Sequence, residues 1–491
     1  MLTPAQNERL VRVGPGTPMG NLLRRYWMPI AGVSEFDTTS TKPIRLMGED
    51  LVLYKDLGGT YGLVQRQCPH RRADLSFGMV EAQGLRCSYH GWQFNHQGAC
   101  IHQPFEDTAH PERDAKARVQ LTAYPVQAKG GMLWAYLGPQ PAPFLPDWEA
   151  FSWDNGFTQV VLSEVPCNWF QCQENSIDPV HFEWMHENWG NRQRTGEVRF
   201  GATHLKLDFK EFEFGFTYHR VKQDTSEDDQ AWTVGRVCLW PNGFFLGEHF
   251  EWRVPIDDEN TLSVTWKYTR VPREREPYAQ THIPTWWGPV KDEHGRWIDT
   301  HVMNQDFLAW VGQGRIADRS RENLSASDRG IVAMRRRFFE EMDTVAQGGE
   351  PKAILRDPER DRLPQRLGAF ERALAAQQHH EFLAAQTHRD RIALAGGADR
   401  VGAGNQRRIA HLVAVQVVDR LEAVEIDQRE GVEALHQQLV EARLDRAAVH
   451  QPGKRIPRRD LFEHPRLGQR RIERGLVELG EVALAEEGLG G

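Results

Sequence analysis

Two short loops of this 491-residue chain hold residue types that bind metal. Cys68 and His70 lie in Cys-Pro-His, and Cys87 and His90 in Cys-Ser-Tyr-His-Gly-Trp, with sixteen residues between His70 and Cys87. Two thiolates and two imidazoles, one of each per loop, are the ligand set of a Rieske [2Fe–2S] centre. There the Cys pair holds one iron and the His pair the other, which raises the potential above that of an all-Cys cluster. A tetrahedral zinc site takes the same ligands, and structural Cys and His are a third reading. Zinc loops, however, usually group Cys with Cys and His with His.

A second constellation lies in NWFQCQENSIDPVHFEWMH, residues 168–186. His181 and His186 stand five apart, with Asn175 and Asp178 preceding them at three-residue steps. On a regular helix five residues turn about 500°, which leaves the two rings roughly 140° apart. They can share a metal only where the helix ends or is distorted, and π-type distortions favour functional sites. The plainer alternative is a helix opening at Asp178 as N-cap with Pro179 at N1, its histidines satisfied in the core. With a one-electron cluster in the same chain, two His and a carboxylate become the open-sided Fe(II) triad of O2 chemistry. Asp306, in HVMNQDFLAW, is the candidate carboxylate, since an ionised Asp on an apolar helix face needs a partner. Its alternative is a solvent-facing helix residue.

The elements that must position these groups follow from pattern. Short apolar runs and turn signals up to about residue 145 predict a small all-β domain. LVLY (51–54) and YGLV (61–64) flank a glycine-bearing hairpin loop, and GMLWAYLG (131–138) is another strand. The proline-dense PQPAPFLPDW (139–148) is taken as the boundary. Residues 146–350 read as α+β: a helical region near 167–189, alternating strands, then a long helical stretch over about 300–345. In LKLDFKEFEFGFTYHR the alternation slips by one residue, as a β-bulge would cause. LSVTWKYTRV (262–271) repeats the strand pattern. The expected catalytic fold is an antiparallel sheet with helices on one side, able to enclose an apolar pocket.

From 351 onward the chain is poor in aromatics. Every Trp lies at or before Trp310 and every Tyr at or before Tyr278. Such a tail lacks core-building material; it reads either as a poorly packed or disordered helical extension or as out-of-frame translation of GC-rich DNA. No chemistry is assigned to it. A net charge of −8 excludes a broad positive field for nucleic acid or anionic membrane. Residues 1–14 lack the apolar core of a signal peptide, and no apolar run approaches a membrane span. Six cysteines in so long a chain are no disulfide framework, so Cys100, Cys167, Cys172 and Cys238 read as ordinary buried thiols. The expected location is cytoplasmic. GPGTPMG (14–20) and GGADRVGAG (396–404) lack the strand-turn-helix context of dinucleotide loops.

Together with RVGPGTPMGNLLRRYWMP (12–29), CPHRRADLSFG and NQDFLAWVGQGRIADRSRENLSASDRG (304–330), these segments resemble the oxygenase component of Rieske non-haem iron oxygenases, in the phthalate-dioxygenase-like branch. The resemblance covers about residues 1–350, and nothing past about 360 matches. It implies a Rieske domain joined to a helix-grip catalytic domain, assembled as a head-to-tail homotrimer. Cys68, His70, Cys87 and His90 then bind the cluster, and His181, His186 and Asp306 the mononuclear iron. Asp178 bridges a Rieske His of one subunit to an iron-ligand His of the next, and Asn175 lies beside the iron. Electrons come from a separate NAD(P)H-dependent flavin/iron–sulfur reductase, or from a ferredoxin with its reductase. Pro69 and Ser88-Tyr89 stand where respiratory-type loops carry extra cysteines, which predicts a potential low in the Rieske range. Known members of the branch act on phthalate, chlorobenzoate and methoxylated lignin-derived acids, and the 165–186 run is most similar to the O-demethylases of the last group. A carboxylated substrate needs a cation; Arg220 and Arg236, on predicted strands, are the candidates, with solvent-facing strand arginines as the alternative. A Rieske-type electron carrier and a zinc-stabilised binding protein remain the other function classes.

Overall fold

In this computed structural model the described residues are 1–197 and 200–357. The aromatic-poor tail from 358 onward lies outside them. Eleven strands build three sheets in the N-terminal part: β1 (Trp27–Gly32), β2 (Thr41–Leu46), β3 (Glu49–Lys55), β4 (Tyr61–Gln65), β5 (Met79–Val80), β6 (Leu85–Arg86), β7 (Gln93–Phe94), β8 (Cys100–His102), β9 (Ala123–Tyr124), β10 (Val126–Lys129) and β11 (Met132–Tyr136). The predicted hairpin is β3–β4, closing at Lys55 opposite Tyr61. The sheets run β1-β11-β10, β2-β3-β4-β9 and β5-β6-β7-β8. A compact core of Val52, Tyr54, Val64, Leu75, Leu85, Phe94 and Leu121 lies between the last two and takes in Cys68 and Cys87.

The rest of the fold is one eight-stranded sheet: β12 (Gly156–Val165), β13 (His204–Phe212), β14 (Gly215–Lys222), β15 (Arg236–Leu239), β16 (Gly243–Phe245), β17 (His249–Pro255), β18 (Thr261–Arg270) and β19 (Thr285–Trp287). Their spatial order is β13-β14-β15-β16-β17-β18-β12-β19, antiparallel except for the short parallel β19. Helices Trp169–Asn175, Val302–Gly312 and Arg329–Ala346 accompany it.

Two expectations and one alternative reading need correction. The slip in LKLDFKEFEFGFTYHR is a tight turn, since Phe212 pairs with Gly215 across Glu213-Phe214 and β13–β14 is a hairpin. Gly215 there takes φ +147°, and a Cβ would meet the Cys238 carbonyl oxygen at 2.1 Å, so side-chain alternation restarts on a new strand. The helical stretch over 300–345 is two helices, because Gly314 (φ +92°) breaks the run. Arg319, in the intervening loop, is drawn into the core by Glu174, 2.7 Å away. Asp178 also does not open a helix at 179: its carboxylate accepts Val180 N–H at 2.8 Å, and helical winding starts at 181 and continues as a π-helix from Phe182.

The proline-dense segment carries no helix or strand between Tyr136 and Glu149. The core is nonetheless continuous across it: Trp27, Leu133 and Tyr136 share a cluster with Val160, Phe250 and Trp266. Residues just past 350 also dock there, Tyr26 Oη donating to Lys352 O at 2.8 Å and Phe144 N–H to Leu355 O at 2.9 Å.

Candidate redox and metal centre

The two Cys/His loops are closed by matching bonds. Cys68 N–H donates to Ala73 O at 2.8 Å, and Arg72 N–H returns to Cys68 O at 2.9 Å. In the second loop Cys87 N–H reaches Trp92 O at 2.8 Å and Gly91 N–H reaches Cys87 O at 3.0 Å. Arg72 and Gly91 occupy the left-handed region needed to turn so sharply, at φ +61° and +74°. Arg86 braces the second loop by donating to Gly91 O at 2.5 Å while pairing with Glu81.

This folding separates the ligand types. Cys68 and Cys87 are buried, whereas His70 and His90 are exposed at the loop tips. The imidazoles meet edge to face with centroids 4.4 Å apart, and His70 stacks on Trp92 at 4.5 Å and 8°. Burial pushes the Cys68 thiol up to about 11; the His70 backbone opposes this and Cys87 adds to it. Two apposed thiols held that way fit iron, whose charge takes over the proton's place at a coordinated sulfur.

The second centre is made by winding. Residues Phe182–Trp189 form a π-helix. Its i→i+5 bonding stacks residues five apart, so His181 and His186 come to one side with ring centroids 5.3 Å apart. Helix Val302–Gly312 brings Asp306 against both: Oδ1 lies 3.6 Å from His181 Nε2 and 3.4 Å from His186 Nε2. These three residues are the group of potential metal ligands among the described residues, each offering an atom within 4.8 Å of the others. Ligands about 2.1 Å from one ion and 90–110° apart are spaced about 3.0–3.4 Å. Edges of 3.4 and 3.6 Å therefore fit a metal with little movement.

Neighbours hold the triad. Asn175 Nδ2 donates to Asp306 Oδ1 at 3.3 Å, and Gln305 Oε1 lies 3.0 Å from His186 Nδ1. Asp178 Oδ2 is 3.7 Å from His181 Nδ1, which is buried without a hydrogen-bond partner. Burial opposes ionisation of Asp178, but His181 and the Val180 N–H hold its pKa below the ordinary value. Gln171 Nε2 ties the two ligand-bearing regions together, donating to Trp310 O at 2.7 Å and Gly314 O at 2.8 Å. Gln305, Gln171 and Arg86 escaped the sequence reading. Gln305 had one signal, its place beside Asp306; the others are long-range bonds that no local pattern encodes.

The two strand arginines behave differently. Both lie on the expected strands, β14 and β15, flanking Phe182 with guanidinium-to-ring distances of 5.3 Å for Arg220 and 4.3 Å for Arg236. Arg220 is buried and donates to Glu183 Oε1 at 2.8 Å, so its charge is already neutralised. Glu183 also has His204 at 3.3 Å, beside a cavity of about 420 Å³ between the π-helix and β13.

Residues 26–125 match the Rieske [2Fe–2S] domain model, and residues 292–397 match the model described as LigXa C-terminal domain like. The second match runs past residue 360, where the sequence reading saw nothing familiar. The chain is 63% identical over 358 residues to the 5,5′-dehydrodivanillate O-demethylase oxygenase subunit of Sphingobium sp. (strain NBRC 103272 / SYK-6), an alignment covering 73% of this chain and 84% of that one. It is 29% identical to the phthalate 4,5-dioxygenase oxygenase subunit of Pseudomonas putida, over 71% of this chain and 88% of that one. The tert-butanol monooxygenase / tert-amyl alcohol desaturase oxygenase subunit of Aquincola tertiaricarbonis is 31% identical, over 67% and 75%. Among the described residues no helix is long and apolar enough to cross a membrane. The chain therefore belongs to the oxygenase subunits of the Rieske non-haem iron oxygenases, enzymes that carry a Rieske [2Fe–2S] cluster and a mononuclear iron and oxidise aromatic compounds.

Proposed function

We propose that the chain is the terminal oxygenase of an O-demethylase acting on a methoxylated, carboxylated aromatic of the dehydrodivanillate kind. The observation that carries this reading is the 63% identity to the dehydrodivanillate enzyme, with a triad whose open side suits O2 chemistry. Cys68, His70, Cys87 and His90 hold the cluster; His181, His186 and Asp306 hold the iron. Iron held there would supply the O2 activation, with electrons drawn from the cluster. The balance is ArOCH3 + O2 + 2e⁻ + 2H⁺ → ArOH + HCHO + H2O, through a hydroxylated methyl group that leaves as formaldehyde.

The chain's own residues position this chemistry. Asn175 and Gln305 orient Asp306 and His186. Exposed His70 and His90 would hold the cluster where a neighbour can approach it. We assign that neighbour as the catalytic half of a second copy in a homotrimer, with Asp178 as the bridge to His181. The electron source is a separate NAD(P)H-dependent flavin/iron–sulfur reductase, or a ferredoxin with its reductase.

Iron and sulfide analysis with EPR of the dithionite-reduced protein, followed by a panel of aromatic acids, tests the reading. Formaldehyde released in step with O2 uptake is the expected result. A cis-diol product moves the chain to the ring-hydroxylating side of the family. A cluster without a second iron reduces it to an electron carrier.

A further inference from the structure

The cations that the sheet strands bring toward the triad are mostly matched by carboxylates. Arg220 bonds Glu183 at 2.8 Å. Lys222 lies 3.8 Å from Glu183 and 3.6 Å from Asp224. Arg253 pairs with Glu251, which also has His249 at 3.0 Å.

Arg236 differs. Among the described residues no carboxylate pairs with it, and its Nη1 is buried without a hydrogen-bond partner. Directly across the ladder on β14 stands Tyr218, 1% exposed, whose Oη has Arg236 as its polar neighbour and no acceptor for its own O–H among the described residues. Burial pushes the Tyr218 phenol up, while the guanidinium charges of Arg236 and Arg220 and a hydrogen-bonding contact from Arg236 draw it back, so the Arg236 guanidinium and the phenol lie side by side. Buried donors are normally satisfied, so two together call for an acceptor from outside the chain. Their location gives its chemistry. Arg236 lies 4.3 Å over the Phe182 ring, and that ring is 4.4 Å from His181 and 5.5 Å from His186. The unmatched donors are thus one aromatic ring away from the metal ligands. There an anionic group on an aromatic would place the rest of the molecule beside the reacting centre.

We infer that Arg236 Nη1 and Tyr218 Oη receive a carboxylate of the aromatic substrate, and that the site reads one carboxylate rather than two. The second half of the inference follows from Glu183, which has already consumed the charge of Arg220. A biaryl diacid then binds through one ring's carboxylate, and the other ring needs none. The inference rests on the carboxylated-aromatic reading above and adds which residues select the acid and how many acid groups count.

The test is calorimetric binding to the iron-loaded holoenzyme of three probes: 5,5′-dehydrodivanillate, its monomethyl ester and its dimethyl ester. In the unaltered protein the monoester should bind within about threefold of the diacid, and the diester about 10–100-fold more weakly, the range of a hydrogen bond to a charged group. Arg236→Met should bind the diacid no better than the diester, Arg236→Lys should fall between, and Tyr218→Phe should lose a smaller factor. Unaltered diacid affinity in Arg236→Met overturns the inference, as does a monoester that binds as poorly as the diester. Cluster EPR checks that the variants are folded, and Arg236→Lys keeps the test open if Arg236→Met is not. Formaldehyde in the same samples separates the two readings. Formaldehyde release with unchanged binding in Arg236→Met removes the anchor alone, whereas lost binding without formaldehyde from the unaltered protein removes demethylation and leaves the anchor.

Discussion

Gln305 Oε1 sits 3.0 Å from His186 Nδ1, so the residue beside one member of the triad fixes the ring of another on a different helix. Its own amide is held in turn, Nε2 donating to Asp299 O at 3.0 Å. Outer partners of this kind set which ring nitrogen faces the metal. Gln305→Leu should weaken iron binding about 10–100-fold while the cluster spectrum stays unaltered. Iron titration followed by competition with a chelator measures it, and wild-type retention would show that His186 needs no brace.

Asp178 lies 3.7 Å from His181 and is not itself one of the three converging ligands. Asp178→Asn should therefore keep both metals but slow cluster oxidation by O2 in the presence of substrate, seen by stopped-flow absorbance. Normal turnover in a fully metallated variant removes the bridging role.

A buried charge network fixes the helix that carries Asn175. Glu174 accepts from Arg319 at 2.7 Å and Arg335 at 2.6 Å, and Arg335 reaches Glu322 at 2.7 Å. Arg319 is fully buried and Arg335 nearly so. Glu174→Gln strands the charge of Arg319, while Arg335 keeps Glu322, and breaking such a buried pair costs about 3–5 kcal/mol. Denaturant unfolding should show a loss of that size; a loss under about 1 kcal/mol would mean that water already reaches the guanidinium groups.

Glu251 gives a pH signature. Burial resists its ionisation, but Arg253 and His249 overcome this and lower its pKa to about 2. A carboxylate depressed in the folded state stabilises above its unfolded pKa, and that contribution fades as pH falls through the folded value. Stability should drop between about pH 4.5 and about pH 2. Glu251→Gln should flatten that part of the curve in denaturant midpoints measured against pH; an unchanged slope assigns the acid sensitivity to other carboxylates.

That the two Cys/His loops would meet, and His181 and His186 with them, was legible because mixed Cys/His loops and a His pair five apart are uncommon patterns, whereas Asp306 was legible only through the resemblance. The β3–β4 hairpin and β11 were legible because their alternation is local. What failed was geometry set at a distance. A helix running through 300–345 ignored Gly314 and the pull of Glu174 on Arg319, 145 residues apart. The β13–β14 turn passed for a bulge because both end in the same phase shift. Arg220 and Arg236 looked alike on paper, and only Glu183 tells them apart.

The wide winding of Phe182–Trp189 has a consequence for chain length. In an ordinary helix, residues four apart share a face, each step turning about 100°. Loss of one residue between His181 and His186 would let the segment fall back to that geometry with both imidazoles still on one side. The pairing of the two imidazoles would survive such a deletion; the contact of Glu183 with Arg220 would not, since its carboxylate would swing away. A shortened descendant of this chain would then keep its paired imidazoles and change the charge of the cavity that Glu183 lines, altering which molecules it accepts.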